Sequence, residues 1–209
     1  MRKGLGHSLP AHINNHNDKA AHGKTFYITL GKDIPEIFVP SNKENFIFQC
    51  SRHDSIMNTI EVAKNCLKYK IKGYFAGPIF NNYNLMDYID NENTFYLGNI
   101  SEEKKLDYTK RAKLYTLLIQ NWTPPFNQSA IEALSMGTPV LANEIGFLSK
   151  IIKDKKNGFI FNNNFLECFQ AAKDIDQQKC YDSVSNYTYV NMIKSFYSAF
   201  EKILKDWRR

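Results

Sequence analysis

Residues 114–119, Leu-Tyr-Thr-Leu-Leu-Ile, form an unbroken apolar run between Lys113 and Gln120. A run this short and this apolar suits a strand covered on both faces, as at the centre of a parallel sheet. Similar runs lie at 26–30, 45–50, 71–76, 94–98, 138–142 and 158–161. Between them stand segments with helical spacing. In 58–67, Ile60, Ala63, Cys66 and Leu67 fall on one helical face. Ser101 followed by Glu102 and Glu103 reads as an N-cap with acids in the first turn of a helix over 101–112. Further helices are expected around 147–153, 165–172 and 189–204. Strands that alternate with helices in this way imply an α/β fold, a single Rossmann-like doubly wound parallel sheet. Such sheets bind ligands at the carboxyl ends of their strands.

The composition is that of a folded protein, 43% hydrophobic and 14% aromatic. No run of 18 apolar residues and no secretory signal stand in the sequence, so a cytoplasmic chain is expected, with the membrane surface as a further place of contact. Residues 1–24 carry Arg2, Lys3, Lys19 and Lys24 against Asp18, which is +3 of the net +6. The remaining +3 is spread thinly, a weak footprint for nucleic acid, and no nucleic-acid partner is expected. Cys50, Cys66, Cys168 and Cys180 lack metal or disulfide spacing and read as reduced thiols. Four histidines (His7, His12, His16, His22) crowd into the first 24 residues, where a metal site is conceivable but no carboxylate or thiol cluster accompanies them. No metal site is expected. The division read from these patterns is 1–24 as a linker or the remnant of a missing N-terminal domain, 25–188 as the Rossmann-like domain, and 189–209 as a C-terminal helix.

Function concentrates in residues 122–140, Trp-Thr-Pro-Pro-Phe-Asn-Gln-Ser-Ala-Ile-Glu-Ala-Leu-Ser-Met-Gly-Thr-Pro-Val. The stretch reads as a loop entering a short helix, a break at Gly137 and a drop into a buried strand. Asn127 or Ser129 caps the helix start, whose first N–H groups lack intrahelical acceptors and suit phosphate oxygens. Glu132 follows among Ile131, Ala133, Leu134 and Met136, where an unpaired carboxylate would be costly. Its partners are either ligand hydroxyls or protein groups. Trp122 is an apolar wall beside the site or a core residue. His53 and Asp54 offer acid–base groups, although a turn after a strand explains them equally simply.

The string from Pro124 to Val140 resembles the signature of the retaining GT-B glycosyltransferases of family four (glycosyl transferases group 1): a Glu, seven residues, a second Glu, then a Gly and a Pro-Val. Other landmarks agree, namely Ser51-Arg52, Ala76-Gly77-Pro78, Tyr96-Leu97-Gly98, Asn143-Glu144-Ile145-Gly146 and Asn157-Gly158-Phe159. The resemblance runs from about residue 31 to the C-terminus. It implies the C-terminal, donor-nucleotide domain of such an enzyme, which transfers a hexose from a UDP- or GDP-sugar to a saccharide or lipid-linked acceptor with retention. The nucleotide-sugar is a substrate, and no cofactor is implied. Glu132 then matches the residue that holds the ribose hydroxyls. Phe126, Asn127 and Gln128 match the loop at the donor sugar, and Ser129 the helix start beside the diphosphate. Arg52 matches the basic group on the departing diphosphate, a bidentate task that suits guanidinium. Asn99 falls where backbone meets the base.

Three positions depart from that pattern. Pro124 replaces the first Glu, Asn127 replaces a Gly, and Met57 stands where a second basic residue faces the diphosphate; the nearest alternative cation is Lys64. The catalytic residues are therefore unassigned. The acceptor side of these enzymes comes from an N-terminal domain, so the resemblance also implies an N-terminal GT-B domain in another chain. The other reading is a non-catalytic nucleotide-sugar-binding module or a subunit of a split enzyme. The aromatic stripe Tyr187, Tyr189, Phe196, Tyr197 and Phe200 corresponds to the helix that crosses toward the missing domain, and part of it is expected to be exposed.

Overall fold

The computed structural model describes residue 26, residues 28–80 and residues 82–207. Six parallel strands form one sheet: β1 (Glu44–Cys50), β2 (Lys72–Ala76), β3 (Thr94–Gly98), β4 (Ala112–Leu117), β5 (Val140–Ala142) and β6 (Gly158–Ile160). Their spatial order is β3-β2-β1-β4-β5-β6. The chain first builds outward from β1 to β3, then returns to start again at β4. The direction of winding therefore reverses between β1 and β4, and the crevice above that pair is where an open α/β sheet accepts a ligand.

Among the described residues seven α-helices flank the sheet: α1 (Thr59–Tyr69), α2 (Glu102–Arg111), α3 (Gln128–Ser135), α4 (Gly146–Ile151), α5 (Phe165–Ala171), α6 (Gln177–Asp182) and α7 (Tyr189–Trp207). Two core layers result. One, built around Phe48, Tyr115, Leu134 and Phe147, packs α2, α3 and α4 on one face of the sheet. The other, built around Ile47, Phe75, Leu114 and Phe165, packs α1 and α5 on the opposite face. β1 and β4 supply side chains to both layers, which explains why their sequences are apolar without alternation.

Two expectations need correction. Residues 26 and 28–30 form no strand. That segment leads to Lys32, which makes a single bridge with Thr188, and Gly31 lies against the backbone of Tyr189. The chain here runs beside Thr188 and Tyr189 and not along β3 or β6, the sheet edges, so its strand propensity finds no partner strand. The second correction concerns α6, absent from the sequence reading: its polar run, Gln-Gln-Lys-Cys-Tyr-Asp, buries only Cys180 and so shows little apolar period. Met57, a departure from the family pattern, is 8% exposed and belongs to the core. The histidine cluster at 7–22 lies outside the described residues. The four cysteines are unpaired, three of them buried. Among the described residues there is no helix long and apolar enough to cross a membrane, and no cluster of metal ligands.

Candidate nucleotide-sugar site

The loop after β1 is shaped by buried polar groups. Gln49 donates to the Met57 carbonyl (3.3 Å) and to Thr59 Oγ1 (3.0 Å), and His53 Nδ1 meets the same hydroxyl at 2.9 Å. Asp54 accepts from the Ile56 and Met57 N–H groups, at 3.0 and 2.9 Å. This carboxylate also takes Arg52 Nε at 2.8 Å. Arg52 is thus aimed by Asp54 through Nε, with half of its side chain in solvent. His53 is fully buried, and burial lowers its pKa to about 4, so the ring is neutral near pH 7. A neutral buried imidazole tied to Thr59 orders the loop; it is not placed as a solvent-accessible base.

Tyr115 joins the two halves of the crevice. Its hydroxyl on β4 donates to the Cys50 carbonyl (2.9 Å) and accepts the Cys50 N–H (3.2 Å) across β1, with Ser129 and Glu132 close enough to act on the same group. Burial pushes the neighbouring Cys50 thiol up to about 11, which removes it as a nucleophile.

α3 begins beside this tyrosine. Asn127 is its N-cap, and Oδ1 accepts the Ala130 N–H at 2.9 Å. The side chain that Asn127 adds in place of glycine is therefore folded back on its own helix instead of standing over the loop. By helix geometry the Asn127, Gln128 and Ser129 N–H groups have no intrahelical acceptor, and no acid lies in the first turn. The far end closes with two reverse bonds, Gly137 N–H to Leu134 O and Thr138 N–H to Ala133 O, both 2.9 Å. This cap needs a left-handed residue, and Gly137 has φ +69°. The eight-residue helix is thus bounded at both ends by its own sequence.

Glu132 sits one turn in, with 7% of its side chain exposed. Protein groups hold it. Lys32 Nζ lies 2.6 Å from Oε2, and Lys105 Nζ lies 2.8 Å from Oε1 and 3.0 Å from Oε2. Lys105 also reaches Glu102 at 2.7 Å. Burial works against the Lys105 ammonium, but its bonds to Glu102 and Glu132 outweigh it and hold the pKa above the ordinary lysine value. Open space of about 380 Å3 adjoins the cluster, lined by Lys32, Asp33, Pro35, Glu102, Leu106, Glu132 and Met136.

The remaining positions divide. Phe126 is half-buried in an aromatic group, 4.6 Å from the Phe147 ring and 6.2 Å from Tyr187. Gln128 and Asn99 are exposed, Asn99 just past the carboxyl end of β3. Pro124 is buried, and its carbonyl accepts the Phe147 N–H at 3.1 Å. Gly146, with φ +52°, fits under it: a Cβ there would stand 2.8 Å from that carbonyl oxygen. Lys64 turns away and lies over Tyr88, 5.2 Å from the ring centre. Trp122 is 43% exposed and is no core residue. Lys32 and Lys105 were not singled out from the sequence. Each is one lysine among many, and the only local hint is the Glu102–Lys105 spacing.

A parallel sheet with its crevice over β1 and β4, an open helix start and a carboxylate one turn beyond define a Rossmann-type α/β protein with a candidate ligand site at its switch point. Residues 34–179, more than half of the chain, match the family described as glycosyl transferases group 1. The chain belongs to that family. No curated protein sequence matches it. Among solved structures it is similar to AviGT4, a glycosyltransferase involved in avilamycin A biosynthesis (TM-score 0.63, 17% identity, 84% of this chain and 60% of that one). It is also similar to HepE from Anabaena in complex with UDP (0.62, 15%, 76% and 49%), and to the GtfA/B complex (0.62, 13%, 84% and 39%). The chain thus spans between 39% and 60% of the lengths of these structures.

Proposed function

We propose that this chain is the donor half of a retaining GT-B glycosyltransferase, which binds a UDP- or GDP-hexose for transfer to a saccharide or lipid-linked acceptor. The observation that carries the reading is the placement of Glu132, buried and one turn past the open start of α3 at the β1/β4 crevice. In this reading Glu132 takes the ribose hydroxyls. Asn127, Gln128 and Ser129 offer backbone N–H groups to the diphosphate, Phe126 walls the sugar, Arg52 Nη groups meet the leaving phosphate, and the backbone at Asn99 meets the base. UDP in the HepE structure supports the nucleotide class.

The acceptor side is supplied by a second domain. α7 supports this: Tyr189, Ile193, Phe196, Phe200 and Ile203 recur at alternating steps of four and three, with Val190, Tyr197 and Leu204 alongside, and all eight are 41% exposed or more. So broad a stripe suits a layered protein surface better than a single partner helix. Pro124 in place of a carboxylate and Met57 in the core favour a second reading, a binding subunit without transfer of its own.

Calorimetric titration with UDP, GDP and their sugars tests the site, with saturable binding expected below millimolar ligand. Absence of heat at millimolar concentrations for every nucleotide overturns both readings.

A further inference from the structure

We propose that Lys105 is a latch on Glu132, which hands over to Glu102 when a nucleotide ribose enters; the inference rests on the proposed nucleotide site. Glu132 is nearly enclosed, and both of its oxygens are already taken by ammonium groups. A carboxylate holds about four lone-pair positions, yet both oxygens of Glu132 already carry an ammonium, so a hydroxyl donor competes with one of them. Charge-assisted bonds are roughly twice as strong as neutral ones. A ribose hydroxyl therefore does not displace an ammonium unless that ammonium has somewhere else to go.

Glu102 lies within electrostatic reach of both lysines, but among the described residues only Lys105 already holds it in an ion pair. Lys32 is fixed by its backbone, with its N–H on Tyr187 O at 2.8 Å, and among the described residues its one ion pair is with Glu132. Lys105 already touches Glu102, three residues back on α2, at 2.7 Å. Glu102 keeps 64% of its side chain in solvent, so it can follow the lysine outward. Its bond to Lys105 holds the Glu102 carboxyl below its ordinary pKa, so it is a charged partner throughout the neutral range. The cleft lined by Lys32, Glu102, Leu106 and Glu132 gives the ligand its approach, and Lys105 lies outside that lining, behind the carboxylate it releases. In the unliganded chain the latch gives a nearly enclosed carboxylate its second counter-charge, beside Lys32. On binding, one oxygen is released to the ribose while Lys32 keeps the other.

The latch lowers apparent affinity, because part of the binding free energy goes into breaking the Lys105–Glu132 contact. Lys105→Met is expected to bind UDP about tenfold more tightly than the parent, the size of one charge-assisted contact. Glu102→Gln removes the alternative seat and is expected to bind UDP several-fold more weakly. Both changes should vanish with 2′,3′-dideoxy-UDP, which has no hydroxyl to offer Glu132; a merely structural lysine would shift both ligands equally. If the parent binds UDP and Lys105→Met binds it equally or less well, the latch is wrong and the nucleotide site stands. If the parent binds no nucleotide, the site and the latch fail together. Should Lys105→Met not fold, Glu102→Gln at its exposed position decides alone, and unchanged UDP affinity there overturns the latch.

Discussion

α3 carries one carboxylate among apolar neighbours and pairs it twice, whereas α7 carries eight large apolar side chains and leaves them in solvent. The contrast separates a finished surface from an unfinished one. At the α3 end of the sheet each element is closed by this chain's own atoms: Asn127 caps the helix, Gly137 ends it, and Lys32 and Lys105 neutralise Glu132. At α7 the burial that normally stabilises an amphipathic helix is missing over most of its length. The α3 end is thus closed by its own contacts, whereas the α7 face stays open among the described residues, as the proposed second domain would require.

The comparison breaks most sharply at Glu132. Glu132→Ala leaves the mostly buried Lys32 ammonium without its one described ion pair and Lys105 with Glu102 alone, and about 3–4 kcal/mol of stability should be lost, read from the midpoint of urea unfolding. UDP affinity should fall with it. If stability is unchanged, the lysines are not committed to this carboxylate.

His53 gives the next largest effect. Its folded pKa is lowered to about 4, against an ordinary value near 6.5. The unfolded chain binds the proton more readily, so stability is fully present above pH 6.5 and falls as the pH drops toward 4. The loss approaches roughly 3 kcal/mol at the lower end. Urea midpoints between pH 7 and 4 should show this slope for the parent, and a flatter one for His53→Gln. An equal slope in both would move the acid sensitivity elsewhere.

The smallest effect is expected on α7. Phe200 is 58% exposed and Tyr197 68%, so Phe200→Ser with Tyr197→Ser should alter stability by no more than about 0.5 kcal/mol per site. Light scattering should show less self-association. A large loss of stability would mean that this face is packed in the isolated chain, and the contrast with α3 would fail.

Much of the fold was legible because it is written in local patterns. The apolar run at 114–119 marked the strand that crosses the sheet centre, although β4 begins earlier, at Ala112, directly from α2. Ser101 marked the start of α2, and its hydroxyl does accept the Lys104 N–H at 3.2 Å. Residues 28–30 misled because they lead into the bridge with Thr188 and not to an edge of the sheet, and α6 was missed because it buries one cysteine. At the site, Asn127 as cap and Glu132 as a carboxylate in need of partners followed from the sequence, but the partners did not.

By itself the sequence determined the alternation of strands and helices, both ends of α3 and the family motif, because each depends on residues within a turn or two of one another. The tertiary structure alone decided that Met57 faces the core, that Pro124 is buried with its carbonyl on the Phe147 N–H, and that Glu132 is met by Lys105, 27 positions away, and by the still more distant Lys32. Ion pairs of this kind leave no period or spacing in a sequence. They exist only where the crossing from β3 through α2 to β4 brings α2 beside α3, and where the approach to β1 passes the same carboxylate.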